Sequence, residues 1–402
     1  MQHLRTQRGL SLPQLAELAH YTRGYLWEIE TGRKPATPDV AGRLDAALNA
    51  DGSLLAELVE PDDEMNRRQV LVDLGVLGLA VPLAGAESVR HGLTAALGGD
   101  QGDDVDEWDE IADEYARSFY NTPPARLLRD LTADLDVLGR RLPGSAPSTA
   151  RGLSKVGGQL AAITAMTWAS AGEMRHARRW WRTARQSADR STDMETRSWV
   201  RGWEVADGLY EQRAVPVILD RAAEATALAG DLVSAGTAGL YAGIAQTLAV
   251  AGRAEGALTA LARVADLTDR LPAAVVADED SMFGWPEVRL RHTESYVYTS
   301  LGDTARAYVA QERALELYPG SLARERAAML MHRATCMIRD GDVGGGLAYA
   351  GTVLDELPVE HHTDLVYAVA RAAVAALPDS DRQRRDARVL SGRLELPSGR
   401  PA

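Results

Sequence analysis

The chain has a single cysteine, Cys336, in 402 residues. One thiol excludes an internal disulfide and any cysteine-built zinc cluster, and it fits a reducing, cytoplasmic setting. Lysine is almost as scarce. Lys34 and Lys155 stand alone against abundant arginine, a bias that points to a GC-rich genome and is silent on mechanism. Two Phe beside eight Trp and many Ala suit close packing of helix on helix. The motifs of several enzyme classes are missing: there is no HExxH, no P-loop and no Gly-rich strand-to-helix turn. Gly344-Gly345-Gly346 follows a turn and is not preceded by a strand. His361 and His362 are adjacent, so they cannot share one helix face as a ligand pair would. No catalytic residue, cofactor or metal is expected.

What remains is the profile of an ordinary globular protein, 46% hydrophobic and 25% charged, long enough for two or three domains. The chain opens directly into a helix, so no export leader is expected. An Arg67-Arg68 pair followed by an apolar run to Ala86 superficially matches a twin-arginine signal. Its place after a folded domain argues against export, and Asp73 and Pro82 argue against a membrane span. The net charge is −13, of which residues 1–60 carry −2. An acidic module is a poor generic nucleic-acid binder, since phosphate neutralisation drives most of that affinity. Its useful cations, Arg23, Arg33 and Lys34, nevertheless cluster around one helix, so weak monomeric binding and a need for dimerisation are expected.

That helix belongs to Ser11–Gly32, the stretch around which the chain is organised. Ser11 is placed to N-cap a first short helix, with Gln14 completing a capping box. Leu12, Leu15, Ala16 and Ala19 form its apolar stripe. His20-Tyr21 makes the turn, Thr22 caps the second helix, and Gly32 suits its exit. In the second helix Tyr25, Leu26 and Ile29 face inward, and Arg23, Gly24, Trp27 and Glu28 face outward. Arg can fork to guanine and Glu can accept from the cytosine amine, while Gly24 lets the helix approach a groove floor.

These residues resemble the Cro-like (XRE) repressor helix-turn-helix family. Its pattern is met by Arg5, Gly9, Leu10, Ser11, Leu15, Ala16, Thr22, Leu26, Ile29, Glu30 and Gly32. The resemblance implies an Arg5–Glu30 pair. It also implies base reading by the first turn of the second helix, with DNA contacts from Ser11, Gln14, Thr22, Arg23, Gly24, Trp27, Glu28, Arg33 and Lys34. Leu12 stands where the family has a phosphate-binding Gln, and His20 stands where it has the turn glycine; histidine tolerates positive φ better than most residues.

Farther along, Thr37-Pro38 starts an amphipathic helix carrying Val40, Leu44, Ala47 and Leu48, and Leu54, Leu55 and Leu58 extend the small core. Pro61-Asp62-Asp63-Glu64 marks a boundary. Residues 100–114 are acid-rich without calcium-loop spacing, and Trp108, Ile111, Tyr115 and Phe119 share a helix face suited to a core. From about 150 the chain repeats. Helix pairs break around Gly172, Gln212, Gly252, Gly302 and Gly341, a period near 40 that signals a helical solenoid. Arg289–Gly320 resembles a tetratricopeptide repeat, with Tyr298, Gly302-Asp303, Ala307, Ala314 and Pro319 at family spacing; Arg291 and Glu294 replace the family Trp and Leu. Ala177, Ala257, Ala307 and Ala314 are expected where paired helices cross.

Stacked pairs leave a concave surface. The repeat register puts Gln159, Met166, Gln246, Arg289, His292, Tyr296 and Thr299 on it, with Trp199 and Trp203 on one face of the off-pattern unit and Trp285 in a long insertion, residues 273–286. Gln159, Trp199, Trp203, Gln246, Trp285, Arg289, His292 and Tyr296 are the candidate ligand contacts. A Cro-like domain followed by such repeats resembles signal-sensing regulators of the Rgg and PlcR kind, and more closely the actinobacterial regulators of this layout. Rgg- and PlcR-type grooves hold a peptide with Asn, and the repeats here contain none; Gln159 and Gln246 are the available substitutes. The expectation is an all-α protein: a five-helix Cro-like domain at 1–60, a linker and connecting helices at 61–150, and a tetratricopeptide-like solenoid at 151–392 for dimerisation and ligand or partner binding. The implied function is a homodimeric transcription regulator on an inverted-repeat operator in double-stranded DNA, with a peptide or small-molecule signal and no membrane partner. The alternative is a repeat scaffold for another protein, with DNA contact secondary or lost.

Overall fold

The structure, a computed structural model, describes residues 5–6, 10–31, 34, 40, 43–44, 47–48 and 103–395. Gly32, Arg33, Thr37-Pro38, Leu54, Leu55, Leu58 and the 61–102 segment lie outside the described residues. Every element among the described residues is helical. The chain divides into two compact units, Met1–Gly78 and Leu79–Ala402.

In the first unit α1 (Leu12–Leu18) and α2 (Arg23–Glu30) meet across a tight turn. Ser11 and Gln14 form the expected capping box: Ser11 N–H donates to Gln14 Oε1 at 2.8 Å, and Ser11 Oγ accepts from the Gln14 amide at 3.4 Å. Thr22 Oγ1 accepts from the Tyr25 amide at 3.3 Å and so starts α2. His20 takes the left-handed turn position, φ 57°. Leu15, Ala16, Ala19 and Leu26 are buried with Val40, Leu44 and Leu48. Arg5 clamps this core, donating to Glu30 Oε1 at 2.7 Å, Glu30 Oε2 at 3.2 Å and the Leu10 carbonyl at 2.8 Å. Charged hydrogen bonds of this forked kind are the strong ones. Arg5→Ala is therefore expected to cost this unit about 2 kcal/mol. Urea unfolding followed at Trp27, the one tryptophan of residues 1–78, measures the loss.

The second unit contains the remaining helices: α3 (Asp103–Ser118), α4 (Pro124–Arg141), α5 (Pro147–Ser170), α6 (Met174–Ser191), α7 (Met194–Ala206), α8 (Val215–Ala229), α9 (Ala235–Val250), α10 (Ala254–Arg270), the short α11 (Ala273–Ala277), α12 (Glu287–Leu301), α13 (Thr304–Leu317), α14 (Ala323–Arg339), α15 (Val343–Glu356), α16 (Asp364–Ala375) and α17 (Arg385–Glu395). Helices α3 and α4, assigned from sequence to a connecting region, bury Trp108, Phe119, Leu127 and Leu131 in one core with Leu153, Leu160 and Trp181. Residue 151, the expected start of the repeats, falls inside α5.

Six helix pairs follow: α5/α6, α7/α8, α9/α10, α12/α13, α14/α15 and α16/α17. The first five turn at the positions the sequence marks, each in left-handed backbone: Gly172 (φ 83°), Gln212 (55°), Gly252 (70°), Gly302 (82°) and Gly341 (96°). Ala177, Ala257, Ala307 and Ala314 are fully buried, where a larger side chain would separate the helices.

The off-pattern Gln212 turn is held by charge. Arg213 donates to Glu211 Oε2 at 2.7 Å and to Glu204 Oε1 at 3.0 Å, Arg185 pairs with Glu204, and Trp181 donates to Glu211. Burial pushes the Glu211 carboxyl upward, with Arg213 and Trp181 opposing the shift.

The first helices of the pairs do not leave an open concave groove. Each packs on the next, α5 to α7 to α9 to α12 to α14 to α16, and α16 returns to α5. The closure has polar anchors, because Arg324 of α14 donates to the Phe119 carbonyl and, at 3.1 Å, to the Tyr120 carbonyl. The 273–286 insertion lies along this ring and ties it to α3, with the Met282 amide donating to Ala116 O at 3.2 Å and Arg117 meeting Asp278 at 3.0 Å.

Candidate functional site

Two surfaces carry the residue chemistry, one in each unit. In the first, the apolar side of α2 is used for folding: Leu26 is buried, and Tyr25 and Ile29 pack against the core. Arg23, Gly24 and Glu28 are exposed on the opposite side. Trp27 beside them is 43% exposed although it is a large apolar group. A Cβ at Gly24 would meet nothing within 4 Å, so the glycine is not demanded by the fold. Lys34 lies over the Tyr25 ring, 4.7 Å from its centroid, and its amide donates to Glu28 O at 3.1 Å, which holds this cation close to α2. Ser11, Gln14 and Thr22 are committed to helix caps, although all three stay exposed at the helix starts. Arg33 lies outside the described residues. Acceptors and donors with an exposed aromatic thus line one helix face of a size that enters a major groove.

In the second unit a cavity of about 170 Å³ sits at the centre of the helix ring. All six inner helices line it: Met166 from α5, Trp203 and Ala206 from α7, Gly239, Ala242 and Gln246 from α9, Arg289, His292 and Thr293 from α12, Glu325 from α14 and Leu365 from α16. Asp207 and Tyr210, just past α7, and Tyr120 and Tyr318, at the ends of neighbouring helices, complete the wall. Five of the eight expected ligand residues meet here: Trp203, Gln246, Trp285, Arg289 and His292.

The other three do not. Tyr296 stands behind the wall, its ring 6.2 Å from Tyr210 and 5.3 Å from His332. Trp199 is buried against Phe283 and donates to the Met282 carbonyl at 3.1 Å, and together with Gln159 it borders a separate surface groove. Thr299, also placed on the concave surface, is buried beside Cys336 Sγ at 3.4 Å.

Arg289 organises one side of the cavity. It donates to Tyr120 Oη at 2.7 Å and to the Ser281 carbonyl at 3.1 Å, and its guanidinium lies 5.2 Å from the Trp203 ring and 6.0 Å from Trp285. Cation–π contacts of this kind favour a charge that has left bulk water. Trp285 is fixed in turn by donating to Thr268 Oγ1 at 2.9 Å. Burial and the nearby Arg289 lower His292 to about 4, so it is neutral near pH 7 and shares a 2.9 Å hydrogen bond with Tyr318 Oη. The wall also carries two acidic residues, Asp207 and Glu325. Burial pushes Asp207 well above the usual carboxylate range and raises Glu325. Tyr210 is driven well upward by burial and by the neighbouring Tyr296, Asp207, Tyr318 and Glu325.

Sequence reasoning missed Asp207, Tyr210, Glu325, Tyr120 and Tyr318 because most of them sit beyond helix ends, outside the repeat register. Among the described residues no cluster of three or more metal-ligating side chains occurs, and no helix is long and apolar enough to cross a membrane. A family model described as a helix-turn-helix domain matches residues 1–58 of the 402. No curated protein and no solved structure matches the chain. The match identifies the N-terminal domain as a helix-turn-helix domain, which supports a DNA-binding regulator.

Proposed function

We propose that this protein is a cytoplasmic, sequence-specific transcription regulator. It acts as a homodimer whose two α2 helices read the halves of an inverted repeat, and its tetratricopeptide-like unit supplies the dimer contact and receives a signal in the central cavity. The observation that carries the DNA half is the outward face of α2, where Arg23, Gly24, Trp27 and Glu28 are exposed. Ser11, Gln14 and Thr22 would meet phosphates from the helix starts, and Arg33 and Lys34 would follow the backbone at the exit. The low charge of the domain makes two half-sites necessary, since each offers few phosphate contacts. The signal acts by binding one arrangement of the dimer better than another; a tenfold change in DNA affinity needs about 1.4 kcal/mol of such preference.

The test is selection of bound fragments from the source genome, with the native chain and Arg23→Ala side by side. An inverted repeat is expected from the native chain, with the variant's preference reduced about 10- to 100-fold, as loss of a forked contact to guanine implies. No enrichment at low and moderate salt, or the same repeat recovered by Arg23→Ala, would favour the repeat unit as a protein scaffold.

A further inference from the structure

We propose that the central cavity binds a small organic cation, a protonated amine on a single aromatic ring. This deepens the signal half of the function proposed above and rests on it. The volume sets the size. A cavity of about 170 Å³ is close to one of about 150 Å³ that accepts benzene, so one ring with a short arm fits.

The wall sets the charge. Asp207 is 6% exposed, and its Oδ2 is buried without a hydrogen-bond partner; Glu325 Oε2 is in the same condition. Buried oxygens left unmatched are costly, and an ammonium brings three donors to them. Both carboxyls line the cavity and act electrostatically on Tyr210. Arg324 and, more weakly, Arg289 are the cations that act on Glu325, whereas Arg213, the cation that acts on Asp207, is engaged by Glu204 and Glu211. Asp207 is therefore the carboxyl left without a cation of its own, and a monovalent ammonium would supply one. Tyr210 and Tyr318 line the same cavity and supply aromatic rings of the kind ammonium groups favour.

Titration calorimetry of the full chain with phenethylamine, its alcohol analogue phenylethanol and the anion 3-phenylpropanoate tests this. Saturable binding of phenethylamine is expected, with phenylethanol at least tenfold weaker and no binding of the anion. Asp207→Asn should weaken the amine at least tenfold while the helical circular dichroism stays unchanged. Ala242→Leu fills the cavity from α9 without altering a charge and should abolish binding, which keeps the test decisive if Asp207→Asn folds poorly. The proposal fails if no probe binds, if the alcohol binds as well as the amine, if the anion is preferred, or if both variants bind like the native chain. DNA takes no part in the readout, so this result and the operator selection can fail independently.

Discussion

Gly236→Val is expected to destabilise the second unit by about 3 kcal/mol, the upper end of overpacking costs. A Cβ at Gly236 would lie 2.5 Å from Trp199 Cα, and one at Gly243 would lie 2.7 Å from Ala206 Cα. Both obstacles are backbone, which cannot rotate away as the end of a side chain can. Gly202 closes the same crossing from the other helix, since its Cβ would fall 2.3 Å from the Gly236 carbonyl oxygen. Three glycines therefore let α7 and α9 approach backbone to backbone, and Ser198 and Thr237 share a 3.1 Å hydrogen bond across the contact.

The crossing matters for function because α7 and α9 are adjacent walls of one cavity, contributing Trp203 and Ala206 beside Gly239, Ala242 and Gln246. Separating the helices would widen the cavity as well as weaken the ring. Urea midpoints for the native chain and Gly236→Val measure the cost. Gly351→Ala is the control: its Cβ meets nothing within 4 Å in the middle of α15, so it should stabilise by about 0.5–1 kcal/mol through helix propensity. Equal stability of the native chain and Gly236→Val would show that the crossing is looser than these distances.

Local features of this molecule were legible because they depend on residues close in sequence. The Ser11 capping box, the Thr22 cap, the left-handed His20 and the Arg5–Glu30 pair form where the residue types required them. The five repeat turns are marked by their centres, and even Gln212 adopts positive φ in register. Closure of the ring was not legible. It depends on α16 meeting α5 and on Arg324 reaching carbonyls some two hundred positions earlier, and no periodicity encodes either contact. The sixth pair was also missed, since the segment between α16 and α17 contains no glycine.

For the cavity, Gln246, Arg289 and His292 of the repeat register line the inner wall. The register misplaced Tyr296 and Thr299 because a helix of a closed ring buries more of its circumference than one bordering an open groove. The acidic residues of the wall are Asp207 and Glu325. A carboxylate is ordinarily read as solvated surface, so these two show their role only once burial is known.

Between pH 6.5 and 4, His292 is expected to withdraw up to about 3 kcal/mol of stability from the ring, one pKa unit being worth about 1.4 kcal/mol. Native His292 holds its neutral form down to about 4, whereas in the unfolded chain it takes up a proton at its ordinary 6.5. The unfolded state therefore binds more protons below 6.5, and stability falls as pH falls through that window. His332 acts in the same direction. Burial and the adjacent His292 hold it well below 6.5, its Nδ1 is engaged with Ser295 Oγ at 2.9 Å, and its buried Nε2 has no partner to receive a charged N–H.

Asp207, Glu325 and Glu211 oppose this. Their native values are raised, so each contributes stability that is lost as pH rises through the raised value and recovered on acidification. The native chain should therefore show a shallow net dependence in this window. Asp207→Asn with Glu325→Gln removes two opposing groups and should steepen the acid loss, whereas His292→Gln should flatten it. Urea unfolding at pH 7, 5.5 and 4.5 separates the cases, followed by tryptophan emission, since seven of the eight Trp lie in this unit. Identical slopes for the native chain and His292→Gln would mean that the ring admits a charged imidazole beside Arg289. In that event the wall is wetter than its packing implies, and the unmatched oxygens of Asp207 and Glu325 would be answered by water before any ligand arrives.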